Sequence, residues 1–210
     1  AAGDGPTFTP DRVVLKHDGL DRLLVYDRHP RKALVDHVWP LDATPDDLLA
    51  GRDIERGDFV QGAYLSRIHR GRDRVSLTME RVGRADGHTI RVRKTIELSA
   101  GDPILDVTYA LEDLPAGAPV RFAVEFNVAS LAGRADDRYY SDTDGRRLGT
   151  LNTLLELDDR YGISLTDEWL DLVVALEWSR AGSLWCLPVE TVSQSEGGFE
   201  GVYQSSSVIP

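Results

Sequence analysis

The chain reads as an all-β protein, a large antiparallel β-sandwich, and three observations predict it. Apolar and polar residues alternate with period two through most of the chain beyond residue 60, the pattern of half-buried strands. Turn chemistry punctuates these runs: Arg70-Gly71, Asp86-Gly87, Gly101-Asp102-Pro103 and Pro115-Ala116-Gly117 supply the residues that reverse a chain. No alternation of strand with helix of the kind that builds a parallel sheet is present.

The elements follow in order. Val13 to Lys16 and Arg22 to Tyr26 read as strands around Gly19. Lys32 to Trp39 is the next, ended by Pro40, which cannot donate to a ladder. One short helix is expected near residues 45–50, with Thr44 as its cap, Pro45 in its first position and Gly51 at its end. The polar stretch Asp42 to Gly62 otherwise reads as an insertion. Strands are then expected at Ala63 to His69, Arg74 to Val82, Thr89 to Leu98, Ile104 to Leu111 and Val120 to Ser130. The last third adds Leu151 to Leu157, Gly162 to Thr166, Trp169 to Trp178, Ser183 to Val192 and Gly201 to Val208, with tight connections at Asp158-Asp159 and Thr166-Asp167-Glu168. About a dozen long strands without a linker-like change of composition favour one sandwich over residues 1–210 rather than two small domains.

The segment Leu187 to Glu200 stands out. It is polar, carries Glu190, Gln194, Glu196 and Glu200 around Gly197-Gly198, and lies between apolar runs. It exceeds the roughly two to five residues of a plain hairpin turn, so an elaborate loop or a demanding crossover is expected.

Composition narrows the function classes. Hydrophobic residues make up 41% of the 210, enough for a sizeable core. Lys and Arg number 24 against 35 Asp and Glu, a net charge of −11. Such a balance repels phosphate backbones and anionic lipid, which argues against nucleic-acid and membrane partners but not against neutral sugars. No apolar run reaches the roughly 20 residues of a membrane span, and no signal peptide is visible. The lone cysteine, Cys186, sits in the apolar run Leu184 to Leu187. It cannot form an internal disulfide, reads as a buried inert thiol, and points to a reducing, cytoplasmic compartment. The chain begins without Met, and Met79 is its only one, which suggests a piece of a longer polypeptide.

Strand faces locate the candidate site. In Val120 to Val128, Phe122, Val124, Phe126 and Val128 share one face, while Arg121, Glu125 and Asn127 share the other. That second face is either solvated, with Arg121 and Glu125 a weak ion pair, or a sugar platform whose carboxylate and amides match hydroxyls. His37 shares a face with Trp39, opposite Asp36. It reads as a core histidine, or as an acid–base partner of Glu125. His17, His29, His69 and His88 stand beside charged residues and read as solvated. Trp39, Tyr64, Tyr139, Tyr140, Trp169, Trp178, Trp185 and Tyr203 read as core or rim, or as sugar-stacking rings. Asp142-Thr143-Asp144-Gly145 opens like a calcium loop but lacks the later Glu, so an Asx turn explains it. No zinc spacing, P-loop or nucleophile elbow occurs, and neither a metal nor a cofactor is expected.

Three segments together resemble the C-terminal β domain of family-57 glycoside hydrolases, the α-amylase and 4-α-glucanotransferase type. They are Tyr26 to His37, Phe122 to Asn127 with Asp137-Arg138-Tyr139-Tyr140 after it, and Pro188 to Glu200 followed by Val202-Tyr203-Gln204. The resemblance implies a supersandwich of the galactose-mutarotase-like type. It also implies catalytic carboxylates in an N-terminal barrel that nothing here resembles. The expected role is thus a non-catalytic accessory domain, taken from the C-terminal part of a longer enzyme. Its expected partners are that barrel and an α-glucan or other carbohydrate. His37, Arg121, Glu125, Asn127, Gln194 and Glu196 are the carbohydrate-binding candidates. An aldose 1-epimerase and a free-standing carbohydrate-binding module are the rival readings.

Overall fold

The computed structural model describes residues 15, 16, 18–117, 119–129 and 132–210. Val13, Val14, His17 and Ser130, on which sequence expectations fall, lie outside them. Among the described residues are eleven strands: β1 (Val35–Trp39), β2 (Leu65–Arg70), β3 (Arg74–Ala85), β4 (His88–Ser99), β5 (Leu105–Glu112), β6 (Arg121–Val128), β7 (Arg138–Ser141), β8 (Arg147–Thr150), β9 (Leu155–Asp167), β10 (Leu172–Ser195) and β11 (Gly198–Ile209). All strand pairs are antiparallel. They form a seven-stranded sheet in the order β1-β6-β11-β10-β9-β7-β8 and a four-stranded sheet β2-β3-β4-β5, as expected of an antiparallel β-sandwich.

The expected helix is present as α1 (Pro45–Leu49), with Thr44 and Asp47 forming a reciprocal capping box and Pro45 in the first turn. Four expectations are corrected. Arg22 to Tyr26 is not a strand: Gly19, in the left-handed region at φ 82°, starts a 3-10 turn over Leu20–Leu23, and the chain then runs irregularly to β1. Leu20 alone is buried there, while Leu24 and Tyr26 stay exposed, so the run offers no apolar face to a ladder. The expected breaks at Asp158-Asp159 and near Gly182 lie inside β9 and β10. Asp159 takes a positive φ of 54°, and register shifts between Glu177 and Leu184 absorb the polar residues as bulges. The polar segment Leu187 to Glu200 is not an elaborate loop. It is the end of a long hairpin in which Ser195 pairs with Gly198 across the turn residues Glu196 and Gly197; Gln194 and Glu196 are exposed there, whereas Glu190 is half-buried and forms an ion pair with Arg134 at 3.0 Å. Finally, β7 and β8 escaped periodicity because each has only four residues.

The seven-stranded sheet has two working faces. On one, Leu184, Cys186, Val208 and Tyr140 form a core with Leu151, Leu155, Ile163 and Leu165. Farther along the same face, Val38 of β1 packs with Phe59, Ala85, Ile90 and Val92 at the junction with the four-stranded sheet. On the other face Trp39, Trp185, Leu187 and Ile209 pack under Leu48 and Ile54. The Trp39 and Trp185 rings stack there, 5.4 Å apart, a contact that adds about 1 kcal/mol beyond area burial.

A buried ion pair clasps the two sheets. Lys94 Nζ of β4 donates to Asp36 Oδ2 of β1 at 2.8 Å and to the Leu34 carbonyl at 2.7 Å. Tyr64 donates to Asp36 Oδ2 as well, and Tyr109 donates to Oδ1 at 2.8 Å. Burial, then the adjacent carboxylate, pushes both phenols well above their ordinary range, so they remain donors.

The four-stranded sheet extends past this clasp. Ile68, Leu77, Ile96 and Val107 are lateral partners across its four strands, so they share one face with Lys94. Val75, Leu98 and Leu105 continue that face. Ile68 is 58% and Leu105 53% exposed. Half of the sheet's inner face is thus apolar and uncovered among the described residues.

Truncating one partner of the clasp leaves the other charge buried. Asp36→Ala is expected to cost about 3–5 kcal/mol in urea denaturation, and the paired change Asp36→Leu with Lys94→Met is expected to cost clearly less than the single one.

Candidate functional site: a histidine–carboxylate cluster at a cavity floor

The pleat that turns Asp36 toward the clasp turns His37 the other way. There His37 lies 4% exposed beside Trp39, with ring centroids 4.8 Å apart. Its Nε2 is 3.0 Å from Glu125 Oε2, and its Nδ1 is 2.9 Å from Glu55 Oε2. Glu125 reaches this point because Val35 pairs with it across β1 and β6, which places its side chain on the His37 face. His29, on the irregular segment before β1, brings its Nε2 to 2.9 Å from the same Glu125 oxygen.

The other oxygen of Glu125 is fully engaged. Oε1 accepts from Arg31 Nη1 at 3.1 Å, Asn127 Nδ2 at 2.9 Å and Ser207 Oγ at 2.8 Å. Arg31 is itself braced by Asp27, at 2.7 Å. Glu55 is braced by the backbone: its Oε1 accepts from Val38 N and Gly57 N at 2.9 and 3.0 Å. The nominal insertion Asp42 to Gly62 therefore supplies a site residue and part of the wall.

These groups line the floor of a cavity of about 520 Å³, walled by the 22–31 segment, the α1 region and the adjoining strands β1, β6, β11 and β10. His29, His37 and Glu125 each offer one donor atom, and the three atoms lie within 4.8 Å of one another.

Of the six candidates read from the sequence, the structure brings together His37, Glu125 and Asn127. Arg121 shares their face but lies toward the far end of β1, paired with Trp39. Its guanidinium sits 4.8 Å over the Trp185 ring and makes no ion pair with Glu125 among the described residues. Gln194 and Glu196 are exposed at the tip of the β10–β11 hairpin and do not line the cavity. His29 corrects the expectation of a solvated side chain, whereas His69 and His88 are exposed as expected. Sequence reasoning missed His29, Arg31, Glu55 and Ser207. The Tyr26 to His37 segment singled out for its resemblance contains the first two, but nothing local says that they fold back on a residue some 90 positions later. Asp142 forms the expected Asx turn, its Oδ1 accepting from Asp144 N and Arg146 N.

The electrostatics follow from this crowding of donors. Burial alone would raise the Glu125 carboxyl, but the hydrogen bonds from His29, His37, Asn127 and Ser207 hold it well below the usual carboxylate range. Burial likewise disfavours the His37 imidazolium, yet Glu125 and Glu55 overcome it and raise His37 from 6.5 to about 8. With a folded value above the unfolded one, His37 stabilises the fold fully below about pH 6.5, and that stabilisation is lost as pH rises through about 8. In chelator-treated protein, denaturation between pH 6 and 9 is expected to show a loss of about 2 kcal/mol in the wild type and little slope from this source in His37→Gln.

Comparison with known proteins shows the family of the chain. The family model described as alpha-amylase/4-alpha-glucanotransferase, C-terminal, matches residues 1–210. The 4-alpha-glucanotransferase of Thermococcus kodakarensis is 31% identical over 191 residues, which are 90% of this chain and 25% of that protein. The alpha-amylase of Pyrococcus furiosus is 30% identical over 192 residues, 91% of this chain and 25% of that protein. The crystal structure of the 4-alpha-glucanotransferase from Thermococcus litoralis superposes with a TM-score of 0.68 at 21% identity, over 92% of this chain and 27% of that one, and so shares the fold. The chain spans about a quarter of the length of these relatives. The match over its whole length, as the three sequence segments implied, shows that the chain belongs to the family of alpha-amylase/4-alpha-glucanotransferase C-terminal domains.

Proposed function

We propose that residues 1–210 are one accessory domain, non-catalytic in isolation, of an α-glucan-active glycoside hydrolase or transglycosidase. In this reading the domain packs on an N-terminal catalytic barrel of the same polypeptide. The observation that carries it is the apolar half-face of the four-stranded sheet around Ile68, Val75, Leu98 and Leu105, continuous with the sheet junction. Contiguous exposed apolar surface marks an interface, and relatives about four times as long supply a partner for it. The galactose-mutarotase-like fold type and a cytoplasmic location belong to the same proposal, the latter supported by the single buried thiol of Cys186.

The cavity supports a carbohydrate role. Its volume of about 520 Å³ falls in the roughly 300–1,000 Å³ range of small-molecule sites. Charged and amide groups around its floor match sugar hydroxyls. A second reading is favoured by one contact, His37 Nε2 to Glu125 Oε2 at 3.0 Å. In an aldose 1-epimerase, His37 would protonate the ring oxygen while Glu125 takes the anomeric hydroxyl proton. The many donors on Glu125 argue against that role, because they weaken it as a base. A free-standing carbohydrate-binding module would use the same cavity without chemistry.

The 210-residue chain alone is expected to give no hydrolysis or transfer of a linear α-glucan, and turnover by it would sink the accessory reading. Polarimetry with glucose is expected to show the uncatalysed mutarotation rate; acceleration that disappears in His37→Gln would establish the epimerase instead. With the barrel missing, the isolated chain is expected to self-associate through this apolar face, and Ile68→Asp with Leu98→Asp to weaken that association by about tenfold or more in sedimentation. In the full-length enzyme the same pair is expected to lower the melting temperature of the catalytic part, and an unchanged value would remove the packing claim.

A further inference from the structure

We propose that His29, His37 and Glu125 form a binding site for a divalent transition-metal ion of the zinc class, which pins the irregular 24–34 segment onto β1 and β6. This inference does not depend on the accessory-domain reading.

The arrangement of donors carries it. His29 Nε2 and His37 Nε2 both converge on Glu125 Oε2, at 2.9 and 3.0 Å. Two ligands each about 2.0–2.1 Å from one metal ion stand roughly 2.9–3.4 Å apart for angles between a right angle and the tetrahedral one. The two observed separations thus suit neighbouring ligands of one ion. All three donor atoms lie within 4.8 Å of one another.

The outer partners are those a metal site requires. Metal-bound histidines hand their second nitrogen to a carboxylate, which fixes the ring and its tautomer. Glu55 Oε2 does this for His37 Nδ1 at 2.9 Å, and Glu55 is in turn fixed by two backbone N–H groups. Arg31, Asn127 and Ser207 all engage Glu125 Oε1, so the carboxylate presents Oε2 alone to the histidines. Arg31 approaches only the far oxygen and is partly offset by Asp27.

Two imidazoles and one carboxylate select zinc, nickel, cobalt or iron over calcium and magnesium, which prefer oxygen donors. Three protein ligands leave further coordination positions, and these open into the cavity that all three residues line. Water or a pair of sugar hydroxyls would fill them. His37 and Glu125 sit on paired strands, whereas His29 arrives from a segment without regular structure. The ion therefore ties a loop to the sheet.

The test uses zinc chloride and cobalt chloride on the chelator-treated, dialysed 210-residue chain. Calorimetry is expected to show one saturable zinc site per chain, and the cobalt form is expected to show the visible bands of a nitrogen- and oxygen-ligated ion. His29→Ala leaves strands and clasp untouched, so it should keep the wild-type circular dichroism while zinc affinity falls tenfold or more. Glu55→Gln should weaken zinc roughly 10- to 100-fold. His88→Ala, which alters an exposed histidine on β4, should bind as the wild type does. Zinc should raise the melting temperature of the wild type but not of His29→Ala. No saturable zinc binding, or affinity that His29→Ala leaves unchanged, overturns the proposal. So does magnesium binding as tightly as zinc.

Discussion

The structure turns on a short strand buried on both faces. β1 has five residues, and none of them is exposed. Successive side chains leave a strand in opposite directions, so the clasp at Asp36 and the cluster at His37 are settled by one register. A slip of one position would drive a carboxylate into the cavity floor and an imidazole into the sheet junction. The Asp36–Lys94 pair is costly to bury and is worth little as net stability. Its value is positional, because both carboxylate oxygens and the ammonium find these partners only in this register. Leu34, just before β1, is held at a positive φ of 61°, where a branched side chain rarely sits. Its carbonyl is the second acceptor of Lys94, so the same ammonium holds both the strand and the turn that enters it.

What could be read from the sequence divides along physical lines. Period-two alternation is a local property, and it showed the longer strands of both sheets, the shared face of His37 and Trp39, and the placing of Glu125 and Asn127 opposite Phe122 and Phe126. The cap, proline and glycine around residues 44–51 are equally local, and α1 formed where they stand. Residue type misleads where charge is buried: a lysine suggests solvent, yet alternation puts Lys94 on the face of Ile90, Val92 and Ile96, and it lies 4% exposed in the junction. Residue type also misleads where a bulge lets a strand continue through polar residues, as in β9 and β10. Contacts between distant segments leave no local trace. His29 and Arg31 look like surface residues until Glu125 is brought beneath them, and Glu55 looks like part of an insertion until its carboxylate meets His37.

The six candidates chosen by face and residue type show the reach of that logic. Sharing a face places Arg121 on the correct side of the sheet, but β6 is long enough for its two ends to serve different neighbours. One end faces the histidines, and the other stacks a guanidinium on Trp185. Gln194 and Glu196 were drawn from a stretch whose polarity suggested a working loop. In the hairpin, polarity there reflects exposure at the end of a long ribbon.

Cys186 has a consequence of its own. It is the sole thiol of the chain and is wholly enclosed between β9 and β11. Burial pushes it far above the ordinary thiol range, so neither access nor ionisation favours attack by an alkylating reagent. Modification must await an excursion that parts the central ribbons. The molecule thus carries an intrinsic clock: the rate at which a thiol reagent marks it counts openings of the innermost sheet, with no engineered label.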